Sequence, residues 1–205
     1  GAVTGLSYNS AGTMLLSGGV DKTVRLWTLA AGTSKPFAGA IGEVTSVAIT
    51  ADGTRVVASS ADMTVHVWGL ADAAVQAKLT HPVAVHAAAA TSDGSRIATS
   101  AADGIVRLWD TTSGLELERF AGHSGIVHGV AVSANASTVL SGGADNSARL
   151  WTGSATTLVA AHEGAVNDLA EVTVGGVLNL LTAGEDKAVK LWDATGKAVR
   201  TFAGS

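Results

Sequence analysis

The sequence predicts an all-β fold, a β-propeller built of five four-stranded antiparallel blades. Five tryptophans recur at spacings of 41, 41, 42 and 41 residues, and an aspartate precedes each of them by six residues. A repeat of about 40 residues that contains several short strand patterns is typical of a propeller blade. The tryptophans are Trp27, Trp68, Trp109, Trp151 and Trp192, and the aspartates are Asp21, Asp62, Asp103, Asp145 and Asp186.

The fourth repeat illustrates the strand order within a unit. Residues 126–133 alternate apolar and small side chains, as a half-buried strand does, and a turn follows at 135–137. Further strands are predicted over 138–142, 147–151 and 157–161. A sheet of four such strands needs neighbours on both faces, and radial stacking of the repeats supplies them.

The other repeats align on the valine that opens the first strand. This valine recurs as Val3, Val44, Val85, Val127 and Val166. The fifth repeat carries a two-residue insertion near residues 171–177. We therefore expect residues 1–205 to form a single propeller domain, or a segment of one, with blades at about 1–40, 41–81, 82–122, 123–162 and 163–205.

Composition argues against several classes of function. The net charge is −4 and only 15% of the 205 residues are charged, so no basic stripe favours nucleic-acid binding. Cysteine is absent, which removes thiolate metal sites and cysteine nucleophiles. No apolar run reaches the roughly 18 residues of a membrane-spanning helix. We expect no cofactor, no nucleic-acid partner and no membrane insertion. The localisation stays open.

Several segments resemble the WD-repeat β-propeller family across essentially the whole chain. The closest matches are residues 17–27, 99–110, 141–151 and 182–193, and Gly122-His123 corresponds to the Gly-His element of the family. The Trp-Asp dipeptide itself is present at Trp109-Asp110 and Trp192-Asp193.

The resemblance implies a buried hydrogen-bond network in each blade. It joins a histidine, a serine or threonine, the turn aspartate and the tryptophan. In the third to fifth blades these residues are His81, Thr99, Asp103 and Trp109, then His123, Ser141, Asp145 and Trp151, then His162, Thr182, Asp186 and Trp192.

The first two blades depart from this pattern. Blade 1 has Ser17, Asp21 and Trp27, but its histidine would precede Gly1, and Ser205 occupies the corresponding position at the other end. Blade 2 has Asp62 and Trp68, but alanines stand at positions 40 and 58. We therefore expect blades 1 and 2 to be less stable than blades 3 to 5.

Two sharper interpretations, a hydrolase triad and a metal site, compete with structural ones. Ser141, His123 and Asp145 could form a hydrolase triad, but their recurrence with tryptophan favours the structural network. His86 and His128 could begin a metal site, but they lack a good third ligand, so we expect no metal. His66 is interpreted as a polar residue on a blade surface. Asp168 is interpreted as a solvated carboxylate of the central channel.

Members of the family usually bind peptides or proteins on the top face of the propeller. Mapped by position, the candidate binding residues here are Glu43, Thr45, His86, His128, Asn167 and Glu185. The resemblance thus implies a non-enzymatic scaffold that binds a protein or peptide partner. The alternative is a structural segment of a larger, possibly bacterial, multidomain protein.

The sequence leaves open how the ring closes. Closed propellers contain about four to eight blades, and family rings usually have about seven. The sequence begins at a first strand with Gly1 in place of Met, so we expect an excised or processed segment. We expect the ring to need either homo-oligomerisation or further blades.

Overall fold

The computed structural model confirms the predicted all-β fold. It describes residues 1–39, 42–153, 155–160, 162–174 and 177–204. Within these ranges, twenty strands form five sheets, each of four consecutive antiparallel strands. The described residues contain no helix, and hence none that could cross a membrane.

The strands follow one another in chain order within each blade, and we label them a to d from the inside outwards. Blade 1 contains β1 (Val3–Tyr8), β2 (Met14–Gly19), β3 (Val24–Thr28) and β4 (Thr33–Phe37). Blade 2 contains β5 (Val44–Ile49), β6 (Arg55–Ser60), β7 (Thr64–Gly69) and β8 (Val75–Thr80). Blade 3 contains β9 (Val85–Ala90), β10 (Arg96–Ala101), β11 (Ile105–Asp110) and β12 (Glu116–Ala121). Blade 4 contains β13 (Val127–Val132), β14 (Val139–Gly143), β15 (Ser147–Thr152) and β16 (Ala155–Ala160). Blade 5 contains β17 (Val166–Val174), β18 (Val177–Gly184), β19 (Ala188–Asp193) and β20 (Ala198–Ala203).

The core consists of four apolar layers, each between two successive blades. In the first layer Leu16, Val24 and Phe37 of blade 1 pack against Val44 and Trp68 of blade 2. Equivalent residues form the other three layers, so each tryptophan of blades 2 to 5 is buried against the preceding blade. Burial of apolar area in these layers is the main driving force that holds the blades together.

Two apolar faces are left uncovered at the ends of the series. We call Val3, Leu6, Leu15 and Trp27 the leading face of blade 1, and Leu181, Val189, Leu191 and Phe202 the trailing face of blade 5. Val3 is 62% exposed, whereas its equivalents Val44, Val85, Val127 and Val166 are all 0% exposed. Phe202 is 43% exposed, against 4% for Phe37. Among the described residues, no apolar cluster joins blade 5 to blade 1.

Candidate functional site

The periodic aspartates shape the tight turn between strands b and c. In every blade a carboxylate oxygen accepts a hydrogen bond of 3.1–3.2 Å from the backbone N–H two residues later. The residue between them adopts a left-handed conformation with φ of 62–76°. An aspartate side chain that bonds to its own turn stabilises this conformation even where the left-handed residue is Lys22, Met63 or Lys187 rather than glycine.

Blades 4 and 5 contain a continuous hydrogen-bond network. In blade 4, Trp151 Nε1 donates to Ser141 Oγ at 2.8 Å, and Ser141 Oγ lies 2.8 Å from His123 Nε2. His123 Nδ1 lies 2.9 Å from Asp145 Oδ1. Blade 5 repeats the arrangement with Trp192, Thr182, His162 and Asp186 at 2.6–2.9 Å.

The direction of these hydrogen bonds fixes the state of the histidine. Because the Asp145 carboxylate can only accept, the proton of the neutral His123 ring lies on Nδ1, so Nε2 accepts a hydrogen bond from the Ser141 hydroxyl, which itself accepts one from the indole. Burial lowers the pKa of His123 although Asp145 opposes the shift, so the ring is neutral around neutral pH. Burial would raise the pKa of Asp145, but hydrogen bonds from Ser147 and His123 outweigh it and lower that pKa to about 2.

Blade 3 contains only part of this network. Trp109 and His81 both bond to Thr99 Oγ1 at 2.9 Å, but the Asp103 carboxylate binds the Arg107 guanidinium instead of His81. Among the described residues, His81 Nδ1 has no well-formed hydrogen bond. Burial, with Arg107 nearby, lowers the pKa of His81 to about 4.

A proline explains why Asp103 turns away. In blades 4 and 5 the residue after the histidine donates its backbone N–H to the aspartate, from Ser124 at 3.1 Å and from Glu163 at 3.3 Å. Blade 3 has Pro82 at this position, and proline has no N–H to donate. Asp103 instead forms a 2.6 Å ion pair with Arg107, whose side chain is only 1% exposed.

Blade 2 replaces the network with a different arrangement, and here the sequence interpretation of His66 is wrong. His66 is 4% exposed and stacks on Trp68, with ring centroids 5.3 Å apart and an interplanar angle of 17°. Trp68 Nε1 donates to the Ala38 carbonyl at 2.8 Å instead of to a hydroxyl. Asp62 accepts a hydrogen bond from the Gly42 amide. Position 40, where the family histidine is expected, lies outside the described residues.

In blade 1, among the residues that the structure describes, the tryptophan and the serine are the two network members that are joined. Trp27 Nε1 donates to Ser17 Oγ at 2.8 Å, and Asp21 bonds to Thr23 and to the amino group of Gly1. Trp27 remains 37% exposed because no blade packs over it. Ser205, the residue that aligns with the network histidines, lies outside the described residues.

A β-bulge is repeated near the start of strand a in all five blades. In blade 4, Val127 pairs with Gly143 and Gly129 with Gly142, so His128 is left unpaired between them. The bulged residues in chain order are Thr4, Thr45, His86, His128 and Asn167. A bulge turns its side chain out of the regular alternation and is frequent beside functional sites. All five residues line a central channel of about 470 Å³.

The bulged residues divide into two kinds. The threonines have internal partners: Thr4 donates to the Val44 carbonyl, and Thr45 donates to the Val85 carbonyl at 2.8 Å. Each of these bonds connects one blade to the next. His86 and His128 instead meet edge to face with ring centroids 5.9 Å apart, and Asn167 is exposed. Burial, followed by repulsion from His128, lowers the pKa of His86.

The acidic candidates lie at the same end of the propeller as the bulges. The Glu43 carbonyl accepts a bond from the Ala61 amide, and the Glu185 amide donates to the Ala165 carbonyl, so both backbones are fixed while their side chains are exposed. Asp168 lines the channel, is exposed, and accepts a 2.8 Å bond from the Leu169 amide. We call this end the top face.

Five four-stranded blades, each with a tryptophan and a turn aspartate at equivalent positions, define a WD-type β-propeller architecture. A family model described as "WD domain, G-beta repeat" matches residues 1–28, 35–69, 75–110, 114–152 and 153–193. The chain therefore belongs to the WD-repeat family.

A curated relative gives a shorter match. Topless-related protein 3 from Arabidopsis thaliana is 46% identical over 48 residues. These residues make up 23% of this chain and 4% of that protein. The chain therefore spans only a small part of the length of that relative.

Proposed function

We propose that this chain is a non-enzymatic scaffold that binds a peptide or protein segment at the channel mouth on its top face. Membership of a repeat family typical of protein interaction supports the general role. The proposed position of the binding site is supported by the bulge repeated in all five blades, which brings one side chain per blade to the rim of one channel. His86, His128, Asn167, Glu43 and Glu185 supply the donors and acceptors there.

The burial of the triad-like residues supports the absence of catalysis. Ser141 is 0% exposed, and its Oγ already accepts the indole proton of Trp151. A nucleophile needs access to substrate and room for an oxyanion site, and neither is available inside this blade. The same geometry recurs in blade 5 with a threonine, as expected of a structural element.

A peptide selection tests the binding role. Peptides selected from a random displayed library on the immobilised protein would be measured in solution by fluorescence polarisation. We expect the double variant His86→Ala/His128→Ala to weaken binding by at least about tenfold, the loss of one or two good polar contacts. Thr112→Ala, an exposed position in a turn at the opposite end, is the matched control. Equal affinity of the rim variant and the wild type would contradict the proposal.

The second candidate is that the five blades form an open arc within a larger assembly. The exposed leading and trailing faces favour it, because exposed contiguous apolar faces usually mark an interface. In that case a further blade, from the same polypeptide or from another copy, covers each face. The two candidates are compatible, since the leading and trailing faces share no residue with the rim set His86, His128, Asn167, Glu43 and Glu185.

A further inference from the structure

We propose that the leading face of one copy binds the trailing face of a second copy, head to tail, and that the contact repeats as an open series instead of closing a two-copy ring. The inference rests on the proposed open arc and is independent of peptide binding at the rim. It identifies the trailing face of a second copy as the partner of the leading face, and the reverse.

The chain already contains this interface four times. Every position of the leading face corresponds to a residue that is buried in a layer between blades. Val3 matches Val44, Leu6 matches Val47, and Leu15 matches Val56 in the first layer. Trp27 of the leading face matches Trp68 of that layer.

The trailing face matches the other side of the same layer. Leu181, Val189 and Leu191 correspond to Leu16, Val24 and Leu26, which are at most 6% exposed. Phe202 pairs with Val189 across the strands as Phe37 pairs with Val24. The two uncovered faces therefore carry the two halves of an interface whose packing the molecule itself displays.

The symmetry of the contact determines the form of the assembly. The two faces are different surfaces, so contact between them is heterologous, and a heterologous contact gives either a closed ring or an open helical series. Two copies would place ten blades in one ring, which exceeds the range of about four to eight for closed propellers. An open series of copies follows.

Sedimentation velocity over a range of protein concentrations tests the proposal. The wild type should show species at multiples of 20.3 kDa that grow with concentration. Val3→Lys/Leu6→Lys blocks the leading face, and Val189→Lys/Phe202→Lys blocks the trailing face. Each variant alone should be monomeric at concentrations where the wild type associates, with association weakened at least about tenfold.

The decisive sample is the equimolar mixture of the two variants. Each variant retains the face that the other has lost, so the mixture should form a one-to-one dimer and nothing larger. Leu158→Lys, at an apolar position of the outer strand of blade 4 that is 55% exposed, is the control and should associate like the wild type. Circular dichroism checks that all variants are folded.

Three results would overturn the inference. The first is a wild type that stays monomeric at all concentrations. The second is a single blocked variant that still dimerises, which would indicate a symmetric contact. The third is a mixture that contains only monomers. Peptide binding at the rim, measured on the monomeric variants, would separate failure here from failure of the proposed scaffold role.

Discussion

At the scale of the residue, Ser141 joins the tryptophan and the histidine in the hydrogen-bond network of blade 4. Its hydroxyl satisfies the indole of Trp151 on one side and the imidazole of His123 on the other. Removing it leaves two buried polar groups without a partner, and each such group costs more than the bond itself contributes.

We therefore expect Ser141→Ala to lower the free energy of unfolding by about 1–3 kcal/mol. Urea denaturation followed by tryptophan fluorescence measures it. Ser137→Ala is the control, since Ser137 lies in an exposed turn and its hydroxyl has only a 3.5 Å contact with Ser133. Equal midpoints for the two variants would show that the network contributes nothing to stability.

His81 gives the protein a specific response to acid. Its pKa is about 4 in the folded chain, below the ordinary value of 6.5, so protonation favours the unfolded chain. The stabilising contribution of neutral His81 is fully present above about pH 6.5 and is lost as the pH falls from 6.5 towards 4. The full loss is about 3 kcal/mol at about 1.4 kcal/mol per pH unit.

His81→Gln should flatten this part of the stability curve, because an amide bonds to Thr99 without titrating. The slope will fall rather than vanish, since the pKa values of His66, His86 and His123 are lowered too. The loss of stability below pH 4 comes from protonation of carboxylates such as Asp145, whose pKa is about 2. The variant should leave this part of the stability curve unchanged, so it serves as an internal reference. An unaltered slope between pH 6.5 and 4 would contradict the assignment.

At the scale of the element, the blades differ in how well neighbours cover them. All six residues of β7 in blade 2 are buried, whereas all six residues of β20 in blade 5 are exposed. The absence of the family network from blade 2 suggests low stability for that blade. Its stacked His66 and Trp68 and its two covered faces argue for the opposite.

Hydrogen exchange should therefore be fastest in blades 1 and 5 and slowest in blades 2 to 4. The reason is that a blade covered on both faces opens only when two apolar layers are broken. Mass spectrometry of peptides from each blade measures the order, at a protein concentration too low for association. Exchange in blade 2 as fast as in blade 1 would restore the expectation drawn from the sequence.

The blades also show which features the sequence could predict. The spacing of Trp and Asp, with valines at the start of each first strand, is sufficient to predict twenty strands in five sheets. The effects of the local substitutions within the network could not be predicted in this way. Pro82 redirects Asp103 because proline has no backbone N–H to donate to the carboxylate. His66 stacks on Trp68 because the two rings lie side by side. Such effects depend on contacts between strands, which periodicity does not encode.

At the scale of the whole molecule, the same layer geometry produces both the stability of the middle and the exposure of the ends. The sequence predicted a ring that needs another copy or further blades to close, but it could not show which side chains are left uncovered. That requires the register of the sheets, which places Val3, Leu6 and Trp27 on one end face and Val189 and Phe202 on the other.

The repeated bulge has a consequence for how such a protein can change. The bulged residue takes no part in strand pairing and lies outside the apolar layers. Where it forms no hydrogen bond between blades, unlike Thr4 and Thr45, its identity is only weakly coupled to the stability of the blade. The five copies already differ there, with two threonines, two histidines and an asparagine. New specificity at the channel rim could thus be acquired one side chain at a time, while the surrounding sheets and their tryptophans stay as they are.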